Sequence, residues 1–235
     1  MTKISVKSAQ FNLKRKSVNL RLEGQILNSV LFDKIADNLV EKGYMVLPYF
    51  LNSEVSQGLF LDACQMDASH FKRAGIGRDK HQQINDFVRT DQIHWIAGNS
   101  ICQNVFLNSM EQLRVELNRR LFMGLFDYEC HFSHYGQGDY YKRHLDAFKG
   151  RSNRVLSTVF YLNPGWTQDD GGELVMYQKK SKEALLKVTP LFGTFVIFLS
   201  ERFPHEVLAA KRDRYSIAGW FRLNNSLGGQ IDPAL

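Results

Sequence analysis

Apolar residues recur at helical spacing in the first half of the chain and switch to strand-like runs in the second, so the change of period divides the sequence. From Val30 to Lys42 apolar positions fall three and four apart and stop at Gly43, which predicts an amphipathic helix, and Tyr44 to Pro48 then reads as a short strand. Asn52-Ser53-Glu54 carries the capping chemistry for a helix running towards Met66. Asn99-Ser100 opens a longer helix through Phe122, with Ile101, Val105, Met110, Leu113 and Leu117 as an apolar stripe turned to the core. Beyond Asp127 the pattern becomes strands punctuated by Gly, Asn and Pro, and the apolar run Leu191 to Leu199 reads as a buried strand. Helices followed by many short strands predict a mainly β fold with supporting helices (α+β): a double-stranded β-helix, the cupin-like jelly roll, buttressed by N-terminal helices. The boundaries that follow are a basic segment at 1–24, one domain over 25–223 with its jelly-roll core at about 127–223, and a loose tail at 224–235.

Bulk properties narrow the class. A chain of 235 residues that is 44% hydrophobic can bury a full core, and no run reaches the ~18 apolar residues that cross a bilayer. Cys64, Cys102 and Cys130 are odd in number and lack CxxC spacing, so they suggest neither a disulfide framework nor a zinc site, and a reduced, cytoplasmic protein is the simpler expectation. The net charge of +6 invites a nucleic-acid reading. However, Lys3, Lys7, Lys14, Arg15, Lys16 and Arg21 all precede the first acidic residue, Glu23, so the opening segment carries the whole excess and the rest is balanced. That segment lacks a secretory apolar stretch and reads as a solvated or partner-binding tail, with an organellar presequence as the alternative. Arg73 to Gln83 is too polar to bury and reads as a loop between helices.

Chemistry concentrates in the second half. In a strand, residues two apart project from one face, so His144 and Asp146 of His144-Leu145-Asp146 can reach the same ion. His205, between the apolar run ending at Leu199 and the strand-like stretch Arg214 to Leu223, supplies a second imidazole. Two imidazoles and one carboxylate on one face of a divalent metal leave positions open, the ligand set of non-haem Fe(II) oxygenases. Arg214, if it faces the pocket, needs an anion. Its same-face neighbours are Ser216, Ala218 and Trp220, while Tyr215, Ile217, Gly219 and Phe221 face the other way. Two small residues between cation and indole leave room for a small dicarboxylate such as 2-oxoglutarate, held bidentate by its distal carboxylate. Taken singly, each residue has a plain structural role; their conjunction in this order defines the site.

Six blocks in order resemble a known family: Tyr135-Gly136-Gln137-Gly138; Tyr141-Lys142-Arg143-His144-Leu145-Asp146; Phe160-Tyr161-Leu162-Asn163; Gly171-Gly172-Glu173-Leu174; Pro204-His205-Glu206-Val207; and Arg214-Tyr215-Ser216-Ile217 with Trp220. Together they resemble the 2-oxoglutarate- and Fe(II)-dependent prolyl 4-hydroxylases, in the branch of the hypoxia-inducible-factor prolyl hydroxylases and their bacterial relatives. Upstream, Arg89-Thr90-Asp91 with Trp95 is similar to the segment that borders the substrate groove in that branch.

The resemblance implies Fe(II), 2-oxoglutarate, O2 and ascorbate as cofactors. It also implies roles: Tyr161 bonding the distal carboxylate with Arg214, Tyr135 near the iron-chelating end, Leu174 and Trp220 walling the pocket, and Arg73 to Gln83 as a finger over the substrate. The implied reaction is hydroxylation of a prolyl residue in an intracellular protein, a translation factor in bacterial members, with succinate and CO2 as co-products. Asp146 argues for hydroxylation, since halogenating relatives lack this carboxylate. Trp220 stands where nucleic-acid demethylases carry a second arginine, which argues against nucleic acid as the partner. The short Ala147-Phe148-Lys149-Gly150 loop departs from the animal relatives and leaves substrate choice open, with the same chemistry on a free amino acid or small metabolite as the alternative; a reading of another class, a non-catalytic metal-binding jelly-roll sensor, is disfavoured by the complete ligand set.

Overall fold

The computed structural model describes residues 28–65, 72–73, 89–147 and 153–224. The basic segment 1–24, nearly all of the polar loop Arg73 to Gln83 and nearly all of the 224–235 tail lie outside the described residues.

Three helices form where capping and periodicity place them. α1 (Ser29–Glu41) starts at Asn28, whose Oδ1 accepts from the Leu31 amide at 2.9 Å. α2 (Ser53–Gln65) starts at Asn52, whose Oδ1 accepts from the Val55 amide at 2.8 Å. α3 (Ile101–Leu121) starts at Ser100, whose Oγ accepts from the Gln103 amide at 3.1 Å. Each cap satisfies an amide that the first helical turn leaves orphaned. The α3 stripe needs one correction: Ile101 is 68% exposed, and Phe106 with Met110, Leu113 and Leu117 makes the buried face. Ile101 lies on the solvent side of a first turn whose Cys102 and Gln103 turn inward.

Eleven strands follow among the described residues: β1 (Tyr44–Leu47), β2 (Lys72–Arg73), β3 (Gln92–Trp95), β4 (Leu125–Tyr135), β5 (Tyr141–His144), β6 (Arg154–Tyr161), β7 (Leu174–Tyr177), β8 (Ala184–Val188), β9 (Phe195–Leu199), β10 (His205–Val207) and β11 (Arg214–Leu223). They form a large sheet in the order β1-β9-β6-β11-β4-β3-β2 and a small one in the order β5-β10-β7-β8. Every pairing is antiparallel. These facing sheets make the jelly roll, with the helices on the outer face of the large one.

The large sheet separates two cores. Phe132, Phe160, Ile197, Ile217 and Phe221 join the helix residues on one side. Tyr135, Tyr161, Val196, Phe198, Leu174 and Val207 fill the space between the sheets on the other. Alternate residues of β6, β9 and β11 thus serve opposite cores, which is why Phe195 to Leu199 reads as a continuous apolar run. That strand is shorter than the sequence pattern implied. Leu191 is 46% exposed in the turn that precedes it.

Candidate active site

His144, Asp146 and His205 converge, with ligand-capable atoms all within 4.8 Å of one another. Register explains it: β10 pairs with β5 so that His205 lies directly opposite His144. Asp146 follows β5 by two residues and puts Oδ1 3.5 Å from His144 Nε2 and Oδ2 3.6 Å from His205 Nε2. Each imidazole is oriented from behind. His144 Nδ1 lies 2.8 Å from the Lys142 carbonyl and His205 Nδ1 3.0 Å from that of Phe203. A carbonyl can only accept, so Nδ1 carries the proton and each Nε2 turns a lone pair to the centre.

Ring packing fixes the remaining freedom. Tyr141 stacks on His144 with centroids 3.6 Å apart, and Phe198 meets His205 edge-on at 4.9 Å. Burial pushes His205 down to about 4, so this imidazole is neutral at neutral pH, as a metal ligand must be. For Asp146 burial acts to raise the carboxyl, but His205 and His144 outweigh it and hold it well below the usual carboxylate range. Ser157 on β6 donates to Asp146 Oδ2 at 2.6 Å and is itself 2.9 Å from Ser200 Oγ. Two imidazole nitrogens and a carboxylate braced by Ser157 fit ferrous iron.

Arg214 lies on the inner face of β11 at 1% exposure, the largest fully buried side chain described. Nε donates to the Gly172 carbonyl at 2.9 Å and Nη1 reaches Ser216 Oγ at 3.4 Å, yet no carboxylate pairs with it among the described residues. Its guanidinium carbon lies 5.0 Å from the Tyr135 ring centroid and 5.1 Å from that of Tyr161. Tyr161 Oη is buried with no hydrogen-bond partner among the described residues, and burial pushes its phenol up to about 12. An unpaired buried cation beside a neutral orphaned hydroxyl is costly as it stands and is satisfied by one carboxylate. Gly172, at φ +69°, makes room: a Cβ there would lie 3.0 Å from Arg214 Cδ. Leu174 is buried in the same cluster as Tyr135 and Tyr161, and Trp220 lies two strand repeats beyond Ser216 on the same face.

The upstream residues reach the site through intermediaries. Arg89 forms a bidentate pair with Asp91, 2.7 Å at each oxygen, and its guanidinium lies 4.4 Å from the Tyr141 ring that stacks on His144. Trp95 is 46% exposed and meets His131 edge-on at 5.2 Å; His131 in turn lies 5.4 Å from Trp220. His131, Arg154 and Ser157 were not singled out from sequence. Arg154 lies over the Trp220 ring at 3.6 Å and donates to Glu129 at 2.8 Å, and Glu129 also meets Arg222 at 3.0 Å. The available signal was a face rule: residues opposite the inward positions of β11 must themselves point inward, which selects Glu129, His131 and Ser133 on β4.

Burial, with Arg89 adding to it, pushes His131 down to about 4 from its ordinary 6.5. The unfolded chain then binds the proton first, so stability is fully present above pH 6.5 and is lost as pH falls towards 4. The loss is expected to reach roughly 3 kcal/mol. Urea titrations of wild type and His131→Met between pH 7 and 4 check this: the wild type should lose more, and parallel curves would remove His131 as the cause.

The fold and the convergence of His144, Asp146 and His205 are those of a non-haem iron oxygenase, and comparison with known proteins agrees. Residues 130–222 match the 2OG-Fe(II) oxygenase superfamily. The fold superposes on a Pseudomonas putida prolyl-4-hydroxylase with a TM-score of 0.74 at 37% identity, covering 83% of this chain and 100% of that one. It superposes on a Trichoplax adhaerens prolyl hydroxylase, solved with a hypoxia-inducible-factor oxygen-degradation-domain peptide, with a TM-score of 0.72 at 28% identity, covering 83% and 90%. Human Egl nine homolog 1 is 27% identical over 189 residues, 76% of this chain and 43% of its own length. The chain spans about half the length of the curated Egl nine relatives it matches. The chain belongs to the 2OG-Fe(II) oxygenase superfamily, within the prolyl 4-hydroxylase family. Among the described residues, no helix is long and apolar enough to cross a membrane.

Proposed function

We propose that this protein hydroxylates a prolyl residue of an intracellular protein to 4-hydroxyproline, with a translation factor as the target class. The observation that carries the reading is the buried, unpaired Arg214 beside the orphaned Tyr161 hydroxyl, between the same two sheets as the His144, Asp146 and His205 set. His144, Asp146 and His205 hold Fe(II). Arg214 and Tyr161 hold the distal carboxylate of 2-oxoglutarate, with Tyr135, Leu174 and Trp220 as pocket walls. Iron with 2-oxoglutarate and O2 supplies oxidative decarboxylation to succinate and CO2, one oxygen atom entering succinate and the other the substrate C–H bond. Ascorbate serves as the reductant that keeps the iron ferrous.

The chain's own residues orient and exclude. The Arg89–Asp91 pair backs Tyr141, which stacks on His144, so one chain of contacts joins the groove border to the metal strand. Trp95, nearly half exposed beside buried His131, offers an aromatic surface at the pocket mouth of the kind that receives a peptide. The Pseudomonas putida prolyl-4-hydroxylase and the prolyl hydroxylases of Trichoplax adhaerens and Caenorhabditis elegans, at 37%, 28% and 25% identity, favour proline over a small metabolite.

The deciding experiment treats lysate proteins with enzyme, Fe(II), ascorbate and 2-oxoglutarate and maps added oxygen by mass spectrometry. Hydroxylation on proline of one or a few proteins is expected. Oxygen incorporated only into a free amino acid or metabolite would overturn the protein-substrate reading, and 2-oxoglutarate binding with no turnover on any fraction would favour a sensor.

A further inference from the structure

Away from the iron site, a cavity of about 520 Å³ opens where three turns meet: Lys42 at the end of α1, Gln178 and Lys179 after β7, and Arg202 between β9 and β10. Its remaining wall is apolar or aromatic, from Tyr44, Leu185 and Phe203. Three of the lining residues are cations and none is acidic, although the whole chain holds 24 acidic residues against 30 basic ones, so this lining is not a sample of the average surface. No ion pair joins Lys42, Lys179 or Arg202 to a carboxylate among the described residues.

Each cation must be weighed against a plain role. Lys42 has one: it caps α1, donates to Asn38 Oδ1 at 3.2 Å and offsets the negative end of the helix. Lys179 and Arg202 stand at no helix end. Arg202 is held in place as well. Gly43, at φ +83°, leaves the space it crosses, since a Cβ there would lie 2.8 Å from Arg202 Nη1, and its guanidinium carbon is 5.2 Å from the Phe203 ring centroid. The guanidinium thus lies over a glycine and beside a ring, open to solvent and with no carboxylate partner among the described residues, so it can pair with an anion that enters the cavity.

We propose that this cavity binds a small molecule bearing a phosphate group. A phosphoryl group carries about −1.5 to −2 charge on three acceptor oxygens, which matches a cavity lined by cations from three separate turns better than a single carboxylate does. The cavity volume lies within the range of small-ligand pockets, and the edge-on pair of Tyr44 and Phe203, 5.6 Å apart, offers a seat for the rest of the molecule. The floor touches the oxygenase chemistry at one point: the Phe203 carbonyl is the acceptor that orients His205. The site does not depend on the substrate assigned above.

The test uses full-length protein loaded anaerobically with Fe(II) and 2-oxoglutarate, so that the Arg214 clamp is filled, and titrates phenyl phosphate by calorimetry. One site is expected, weakening as salt rises. In a Lys179→Gln/Arg202→Gln double variant the affinity should fall about tenfold or more, the loss from removing two charge-assisted donors, while 2-oxoglutarate affinity stays within about twofold and shows the fold intact. No binding at millimolar phenyl phosphate, or equal affinity in the double variant, overturns the site. Phenylacetate binding as tightly as phenyl phosphate overturns the phosphate assignment.

Discussion

His205→Ala is expected to abolish succinate formation while leaving a folded protein, and it carries the largest effect predicted here. His205 is the one ligand contributed from outside the β5 segment, and its Nε2 sits 3.6 Å from Asp146 Oδ2 with the ring fixed by Phe198 and by the Phe203 carbonyl. Without it, His144 and Asp146 remain as a two-point site. Losing even an outer-shell partner typically costs 10–100-fold in metal affinity or activity, so losing a ligand should cost more. Anaerobic Co(II) titration followed by absorption, with succinate assayed in parallel, reads both consequences. Wild type should bind one ion and the variant none at equal concentration. Turnover unchanged in His205→Ala, His144→Ala or Asp146→Ala would sink the ligand assignment.

Arg214 is expected to act in opposite directions on binding and on stability. Arg214→Met should weaken 2-oxoglutarate by ~2–5 kcal/mol, the usual loss when one member of a buried charge pair is removed, which is about thirtyfold to several thousandfold in Kd. Metal-free and ligand-free, the same variant should be at least as stable as wild type. Its side chain replaces a 1% exposed cation that has no counter-ion among the described residues with an apolar one of similar length. Calorimetric titration with 2-oxoglutarate and a denaturant melt of the apoprotein give the two numbers. Equal affinity would place the clamp elsewhere, and a large loss of apoprotein stability would mean that Arg214 serves the core before it serves a ligand.

The separation of roles along β11 was legible in advance because a strand's period is two. Arg214 and Ser216 meet on one face of β11 and Trp220 falls on the same face, while Ile217 and Phe221 join the helix-facing core. His144 and Asp146 were paired from the same period, and they do converge, but β5 ends at His144 and Asp146 lies in the bend beyond it; the starts of α2 and α3 were legible from Asn52 and Ser100, and α1 from its periodicity, with Asn28 as its cap. Errors came where a local pattern met a missing neighbour. Ile101 continues the α3 stripe but faces solvent, and Leu191 continues an apolar run but lies in the turn before β9. His131, Arg154 and Ser157 escaped because nothing in their own neighbourhoods marks them. Each owes its place to a partner far along the chain: His131 pairs with Ala218 across β4 and β11, Ser157 supports Asp146, and Arg154 covers Trp220.

What the residue order determined by itself is therefore the periodic part: helices, strand faces, the order of ligand and clamp, and the family they resemble, since each depends on spacings of a few residues. Tertiary structure alone decided which faces meet. The pairing of His205 with His144, the isolation of the Arg214 charge beside Tyr161, the stack of Arg89 on Tyr141 on His144, and the basic cavity at Arg202 all follow from strand register between distant segments. Local pattern cannot encode that register: a shift of one residue would leave every local spacing intact while turning each side chain to the opposite core.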